Sequence, residues 1–334
     1  SAEAFGSGDS GDGKPYAGDT LTLACSGSTF ANVGPGTDIS VTAGTFALGG
    51  ASAGNYTVSQ PTGLSLSATI VTRPVWTSAA SGSWPVTNNW LAGVVGTGTN
   101  ITADFTTLAM DTNVTVTLDG ARTIGNLWFD DQASAKHAWT LNTGTGDPLT
   151  LAVTNGMPVI SNTVATTINT VIAGSQGLAK NGTGTLTLSA QSPYSGGTVV
   201  NSGTLCSTRG CWYTDRAIGS GLLTVNSGAT AIFTQAHGFG SGTGGKPAVI
   251  NGGTIQFDRE NYVSSLTFTS GGLLTGVGAA QTVPLSVTVQ ASASTAQIAT
   301  PMIVVYGDLS FNVAEGGATP DLLVSGNIGG SGYS

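Results

Sequence analysis

One recurring unit constrains the fold of this chain more than any other feature. It consists of an apolar run of strand length, an Asn-x-Gly turn, a Thr and another apolar residue, and it recurs at 201–205, 223–230 and 249–255. Its spacing is about one coil of a β-solenoid, and periods of about 20 to 50 residues indicate repeat architectures. A single coil cannot bury its inner face, so stacked neighbours must supply the core. An array of β-sandwiches would show a similar turn spacing and is the alternative.

The composition indicates strands throughout. The chain has 51 glycines in 334 residues, 8% charged residues and 40% hydrophobic residues, which fits neither a disordered tail nor a helical protein. Alternating runs such as Val114–Leu118, Thr185–Leu188 and Ser286–Val289 are typical of half-buried strands. The glycines lack a Gly-X-Y period, and no apolar run reaches the length of a membrane-spanning helix. The fold class is predicted to be all-β.

The charge balance limits the partners. Nine Lys and Arg against 17 Asp and Glu give a net charge of −8, which argues against nucleic acid as a partner. Hydration must come from Thr, Ser and Asn, and such a surface suits proteins that pack closely in a polymer or matrix. An ordinary secreted β protein with a neutral surface is the alternative.

The three cysteines give information on the redox compartment of the protein. Cys206 and Cys211 would close a short loop that a disulfide could hold in an exported chain. Cys25 is either buried and free or paired between chains, and we favour the buried thiol. A metal site is not expected because His137 and His237 are remote in sequence and four ligands are not visible. No cofactor is predicted. No signal peptide begins the sequence, so Ser1 follows a processing site or begins a fragment.

Four zones follow from these patterns. Residues 1–15 are predicted to be a flexible lead-in, 16–73 a small β-sandwich, 74–99 a Trp-rich junction or cap, and 100–334 the solenoid. The strands expected in the second zone lie around Thr20–Cys25, Asp38–Thr42, Tyr56–Gln60 and Leu64–Val71.

The segment 177–205 resembles a known family. It reads Gly-Leu-Ala-Lys-Asn-Gly-Thr-Gly-Thr-Leu-Thr-Leu-Ser, continues with Tyr-Ser-Gly-Gly-Thr and ends in Gly-Thr-Leu, similar to the autotransporter-associated β-strand repeat. Ser192 and Pro193 depart from the repeat at one turn. The resemblance implies a right-handed parallel β-helix in an exported bacterial surface protein. It also implies structural roles for the motif residues Gly177, Lys180, Gly182, Gly184, Tyr194 and Gly196.

The second zone resembles another family. Residues 18–23, 30–34 and 53–61 are similar to the bacterial YDG domain, a small sandwich module repeated in large surface proteins. The Tyr-Asp-Gly start of that domain is absent, and the first strand or two are missing from the pattern. Either the chain was cut from a larger repeat protein, or a strand from a neighbouring molecule completes the module.

Several polar clusters are candidate sites of chemistry. Asp130 and Asp131 are adjacent carboxylates, but neighbours on a strand face opposite ways, which favours a solvated turn. The cluster at 258–260 could bind Ca²⁺ or a partner, although a surface turn with an Arg–carboxylate pair is favoured. His237 lacks a nearby nucleophile and reads as a loop histidine. The Gly-rich stretch 240–246 lacks the spacing of a phosphate loop. No catalytic residue is predicted.

Three tryptophans precede the solenoid. Trp76, Trp84 and Trp90 could form a platform for stacking on carbohydrate. Packing at the junction, where they would cap an exposed solenoid end, is the favoured interpretation, because an unpaired strand edge invites polymerisation.

These observations together predict a structural, non-enzymatic protein of the bacterial cell surface or extracellular space. It would form part of a fibre, sheath or matrix by self-association, through solenoid stacking and strand complementation. The first alternative is an adhesin that binds glycans or surfaces, and a polysaccharide-active β-helix enzyme is a weaker one.

Overall fold

A computed structural model describes most of the chain. The described residues are 14–31, 36–70, 73–146, 148–210, 217–240, 245–277, 282–284, 286–304 and 308–330. The chain divides into two compact units, Ser1–Thr72 and Arg73–Ser334. Apart from short 3₁₀ turns, the described residues contain strands and loops, which confirms the all-β prediction.

The described residues of the first unit form five short strands. They are β1 Thr22–Ser26, β2 Thr29–Phe30, β3 Gly36–Thr42, β4 Thr45–Gly49 and β5 Leu66–Ile70, with a 3₁₀ turn at Ala53–Asn55. β1 pairs with β4 in one antiparallel sheet, and β2, β3 and β5 form a second antiparallel sheet. The β-sandwich and the YDG-like domain proposed for this region stay predictions.

One strand predicted in the first unit is absent. Residues 56–60 have no strand structure, and two of their side chains contact the rest of the unit. The Tyr56 hydroxyl donates to Asp19, and the Gln60 side-chain amide exchanges two hydrogen bonds, 2.8 and 2.9 Å long, with the backbone of Phe46. Gln60 therefore takes the place that a neighbouring strand would occupy beside β4.

The second unit contains 26 strands among its described residues. In chain order they are β6 Gly82–Ser83, β7 Gly98–Phe105, β8 Val114–Thr117, β9 Arg122–Phe129, β10 Trp139–Asn142, β11 Leu149–Leu151, β12 Val159–Asn162, β13 Thr166–Ile168, β14 Ile172–Ala173, β15 Leu178–Asn181, β16 Thr185–Leu188, β17 Thr198–Val200, β18 Gly203–Ser207, β19 Leu223–Asn226, β20 Ala229–Phe233, β21 Lys246–Asn251, β22 Thr254–Phe257, β23 Asn261–Phe268, β24 Gly272–Gly276, β25 Thr282–Pro284, β26 Ser286–Val289, β27 Ala296–Ile298, β28 Met302–Val304, β29 Ser310–Val313, β30 Leu322–Val324 and β31 Ile328–Gly330. Two 3₁₀ turns, Thr87–Asn89 and Leu91–Gly93, lie between β6 and β7.

These strands form two parallel sheets. One has 11 strands in the order β30-β27-β24-β22-β20-β18-β16-β13-β10-β8-β6, and the other has 15 strands running from β14, β11 and β9 to β31. The chain passes back and forth between the sheets, at some turns with two consecutive strands in the 15-stranded sheet, and strands pair in parallel with the strand one turn away. The result is a β-solenoid of about nine turns. This confirms the solenoid prediction for the second unit and removes the β-sandwich array as its alternative.

The core lies between the two sheets. Along each strand, buried apolar residues alternate with partly exposed polar ones, as in Val114–Thr117, because alternate side chains on a strand face opposite sides. In register they form continuous inward columns, of which one contains Val114, Trp139, Thr166, Leu186, Leu205, Ala231, Ile255, Leu274 and Ile298. Burying one such Leu contributes about 2 kcal/mol, and truncating it to Ala costs at least that much.

Candidate functional site: the solenoid surface and its two ends

A ladder of asparagines runs along the outside of the 15-stranded sheet. The Asn201 Nδ2 donates to the Asn181 Oδ1 at 2.8 Å, the Asn226 Nδ2 to the Asn201 Oδ1 at 2.7 Å, and the Asn251 Nδ2 to the Asn226 Oδ1 at 2.9 Å. The Thr269 hydroxyl completes it with a 2.8 Å bond to Asn251. Asn201, Asn226 and Asn251 are the asparagines of the recurring Asn-x-Gly turn, and Asn181 precedes them by one turn. The repeat thus places one amide per turn in the ladder, where an amide can donate to one neighbour and accept from the other.

The repeat lysine is buried beneath this ladder. Lys180 is fully inaccessible, and its Nζ donates to the carbonyl oxygens of Asn181, Gly182 and Ser202 at 2.8, 2.7 and 3.1 Å. Three acceptors match the three protons of an ammonium group. Burial lowers the pKa of Lys180 to about 8. The side chain ties two consecutive turns together and offers no free face to a substrate.

The other motif residues lie at crowded corners. A Cβ on Gly182 (φ +79°) would lie 2.3 Å from the carbonyl oxygen of Asn162, so the next turn approaches too closely for any side chain. Gly177, Gly184 and Gly196 are equally confined by neighbouring backbone. Tyr194 is buried, and its hydroxyl forms a 2.7 Å hydrogen bond with the Thr198 hydroxyl.

The cysteines differ in exposure. Cys206 is a free, partly exposed thiol on β18, and burial together with the nearby Asp258 carboxylate raises its pKa. Cys211 lies outside the described residues, so a Cys206–Cys211 disulfide stays a prediction. Cys25 is exposed on β1, and the expectation of a buried thiol is wrong. Its two-stranded sheet gives β1 no covering layer, and every residue of the strand is exposed.

The tryptophans form an aromatic cluster at the first turn of the solenoid. Trp76, Trp84 and Trp90 are buried, with ring centroids 5.1 to 5.8 Å from each other or from Phe105. Each indole N–H donates to a backbone carbonyl at 2.7 Å. These buried rings present no face on which a sugar could stack. The idea of a carbohydrate platform is therefore not supported, because the rings pack into the core instead.

The paired aspartates are not a solvated turn. Asp131 is fully buried and accepts hydrogen bonds from the backbone N–H groups of Met110, Ala133 and His137 at 2.8 to 2.9 Å, and its Oδ2 lies 3.0 Å from the His137 Nδ1. Burial alone would raise the pKa of Asp131, but these hydrogen bonds outweigh it and hold the pKa at about 2. Asp131 thus organises the loop that precedes Trp139. The local sequence pattern does not predict this role, since the three residues that contact the carboxylate lie on both sides of it and up to 21 residues away.

The acidic cluster at 258–260 also differs from expectation. Asp258 accepts from the Gln256 side chain at 2.7 Å, and Glu260 accepts from the Tyr262 hydroxyl at 2.6 Å, while Arg259 is exposed. The nearly buried His237 lies in a loop, with its Nε2 4.0 Å from a Glu260 oxygen. The carboxylates thus bind neutral neighbours instead of forming the expected Arg–carboxylate pair.

A second buried lysine was not predicted from the sequence. Lys246 ends the Gly-rich stretch 240–246, begins β21, and donates from Nζ to the carbonyl oxygens of Ile218 and Gly219 at 2.7 and 2.6 Å. Like Lys180, it binds backbone of an adjacent turn.

The described residues contain no group of three or more His, Cys, Asp or Glu side chains placed to hold a metal ion. They also contain no helix that is long and apolar enough to cross a membrane.

The last turn of the solenoid is the most exposed. Phe311, Val313, Leu323 and Ile328 are 40% to 53% exposed, and β29, β30 and β31 each pair with a strand on one side only among the described residues. An edge of this kind has free backbone donors and acceptors next to apolar side chains.

Comparisons with known proteins support the solenoid and point to the bacterial surface. The family described as passenger-associated-transport-repeat matches residues 178–205. The chain is similar to the adhesin BmaC autotransporter of Brucella suis biovar 1 (strain 1330), with 30% identity over 217 residues. This match covers 58% of the chain and 6% of the relative, so the chain spans a small part of that protein's length. No solved structure matches the chain.

Proposed function

We propose that this chain is a structural segment of an exported bacterial surface protein, built as a right-handed solenoid that holds itself and its neighbours in an extended assembly. The observation that carries the proposal is the position of the passenger repeat. Residues 178–205 form β15 to β18, two consecutive turns that contribute Lys180 and two members of the asparagine ladder. The matched repeat is therefore the part whose residues connect one turn to the next.

Such a segment would act by resisting bending and separation of its turns. Backbone hydrogen bonds run from turn to turn in both sheets, and the asparagine ladder adds a side-chain bond at each step. Because every turn is bonded to the next, bending or separating two turns must break several hydrogen bonds at once. The function requires no catalytic group or cofactor.

Assembly into fibres is proposed to use the exposed last turn. Among the described residues, β30 and β31 have no partner strand on their outer sides, beside Leu323 and Ile328, and a strand from another molecule could extend the sheets there. Charged residues on an edge oppose such pairing. A Leu323→Asp variant should therefore remain folded but assemble less than the wild type.

The test measures assembly against protein concentration. Negative-stain micrographs and sedimentation velocity are recorded for wild type, Leu323→Asp and Leu222→Asp, whose Leu222 is 41% exposed away from the last turn. We expect end-to-end filaments for wild type and Leu222→Asp, and fewer for Leu323→Asp. Wild-type protein that stays monomeric at high concentration would exclude fibre formation.

An adhesive role is the second candidate, favoured by the similarity to the BmaC adhesin. The buried tryptophans would not make the contact, so binding would use side chains on the outside of the solenoid. Beads coated with the chain are applied to glycan arrays and to cultured animal cells. Retention above that of beads coated with an unrelated β protein supports adhesion, and equal retention on both surfaces excludes it.

A further inference from the structure

The outer face of the 11-stranded sheet carries a regular array of small polar side chains over its first four complete turns. β8, β10, β13 and β16 pair in register, so that side chains two residues apart form two parallel columns. One column consists of Thr115, Thr140, Thr167 and Thr187, and the other of Thr117, Asn142, Asn169 and Ser189. We call these eight residues the threonine face.

The two columns differ in their hydrogen bonding. In the second column the Asn169 Nδ2 donates to the Asn142 Oδ1 at 2.7 Å, and the Ser189 hydroxyl donates to Asn169. The four threonine hydroxyls of the first column have no hydrogen-bond partner within the described part of the chain. The face therefore combines a row of fixed polar groups with a row of hydroxyls that can bind something outside the protein.

The face carries no charge. None of its eight residues is ionisable, although the chain has a net charge of −8. An ionic partner would find no opposite charge in the array. The aromatic rings of this part of the solenoid, such as those of Phe105, Phe129 and Trp139, are buried, so the array also lacks a ring on which a sugar could stack. The chemistry favours a neutral partner that binds through hydrogen bonds and small apolar contacts.

The spacing favours a partner with a lattice of its own. Neighbouring strands lie about 4.8 Å apart, and alternate residues along a parallel strand are about 6.6 Å apart. The array is therefore close to a rectangular lattice whose rows repeat in register over four turns. Ice is a partner of this kind, because its surface is uncharged, repeats regularly and binds through hydrogen bonds.

We propose that the threonine face binds ice. Each threonine offers a hydroxyl that bonds water and a methyl group that water can surround without bonding to it. In a regular array the methyl groups leave gaps of constant size, and the hydroxyls and amides hold water molecules in them. Water ordered in this way joins the ice surface, and the bridging waters supply the contact. This proposal is independent of fibre assembly and of adhesion to glycans.

The primary test measures growth of ice crystals in the presence of the full chain. Thermal hysteresis and inhibition of ice recrystallisation are compared for wild type, Thr167→Lys and Thr224→Lys. Thr167 lies in the middle of the array, whereas Thr224 is a partly exposed threonine on β19 in the other sheet. We expect Thr167→Lys to lose most of the wild-type activity and Thr224→Lys to keep it. Circular dichroism and Tm establish that both variants are folded.

A milder variant distinguishes loss of ice binding from loss of folding. Thr140→Ser keeps the hydroxyl and removes the methyl group, and we expect partial loss of the ice activity without loss of Tm. A wild-type chain that leaves ice growth unchanged would overturn the proposal, and so would equal losses in the Thr167 and Thr224 variants. A third overturning result is wild-type binding to microcrystalline cellulose with no effect on ice, since it would identify a polysaccharide as the partner.

Discussion

The first and last described turns of the solenoid differ in how far their side chains are covered. At the first turn, the aromatic cluster of Trp76, Trp84 and Trp90 covers the core, and every indole N–H has a carbonyl acceptor. At the last turn, Phe311 and Leu323 are 40% and 45% exposed. Within the described residues, the first turn is thus covered by large side chains and the last described turn is exposed. Covering depends on bulky side chains from outside the repeat, because the repeat itself supplies only strands and tight turns.

Truncation of one large side chain at each end gives the largest contrast. Trp84→Ala removes a buried indole that contacts Trp90 and Phe105, and we expect it to lower the free energy of unfolding by about 4 kcal/mol. Phe311→Ala removes an exposed ring and should cost less than about 1 kcal/mol. Urea unfolding followed by circular dichroism measures both. Equal losses would show that the two ends are covered to the same degree.

The buried carboxylate beside the aromatic cluster should produce the next largest effect. Asp131→Ala leaves three backbone N–H groups without an acceptor, and we expect a loss of about 3 kcal/mol near neutral pH. At the open end, Asp321 accepts one such bond, from Gly316 at 3.0 Å, and Asp321→Ala should cost about 1 kcal/mol.

The Asp131→Ala variant also has a defined pH dependence. The pKa of Asp131 lies at about 2 in the folded chain and at 3.8 ordinarily, so its stabilisation is complete above pH 3.8 and is lost as the pH falls towards 2. The difference in Tm between wild type and Asp131→Ala should therefore narrow across that window. A difference that stays constant down to pH 2 would mean that Asp131 is not held as a carboxylate.

Lys180 lies in a turn between these two regions, and its substitution provides a reference for the stability changes at both. Lys180→Met leaves three carbonyl oxygens without their donor but also removes a buried charge, and we expect a net loss of about 1 kcal/mol at pH 7. Because burial lowers the pKa of Lys180 from 10.5 to about 8, the folded chain releases this proton before the unfolded chain does. Wild-type stability should thus rise relative to Lys180→Met between pH 8 and 10.5.

Lys136 supplies a control for the loss of a lysine side chain. The residue is exposed and its ammonium group donates to the backbone carbonyl of Asp131, and we expect Lys136→Met to lower the free energy of unfolding by less than about 1 kcal/mol at pH 7. Tm is measured by calorimetry from pH 7 to 10.5 for all three proteins. Parallel curves for wild type and Lys180→Met would contradict the burial of an ammonium group at this turn.

The sequence predicted the parts of the molecule that depend on local pattern. Alternation of apolar and polar residues and the Asn-x-Gly turns predicted the strands and the solenoid, because register between identical turns follows once one turn is defined. The sequence also indicated Lys180 and its neighbouring glycines, through the repeat. It did not predict the acceptors of Lys180, since these depend on how closely one turn approaches the next.

Features that join distant parts of the chain could not be predicted in this way. The donors to Asp131 come from both sides of it in sequence, and nothing in the local pattern distinguishes this aspartate from Asp130. The strand expected at 56–60 failed for a related reason, because the Gln60 side chain occupies the position of a partner strand. The threonine face also requires the register of four turns before its columns appear.

The smallest effect is expected in the asparagine ladder, and its direction tests the comparison of the two ends. Asn226→Ala breaks the ladder bonds to Asn201 and Asn251 at a partly exposed position, so the cost should be about 0.5 to 1 kcal/mol. The turns before Asn226 lie towards the aromatic cluster, whereas those after it lie towards the open edge. Hydrogen exchange should therefore accelerate more from β21 to β31 than from β8 to β16. Equal acceleration on both sides would mean that the covered end does not hold its neighbouring turns more firmly than the open end.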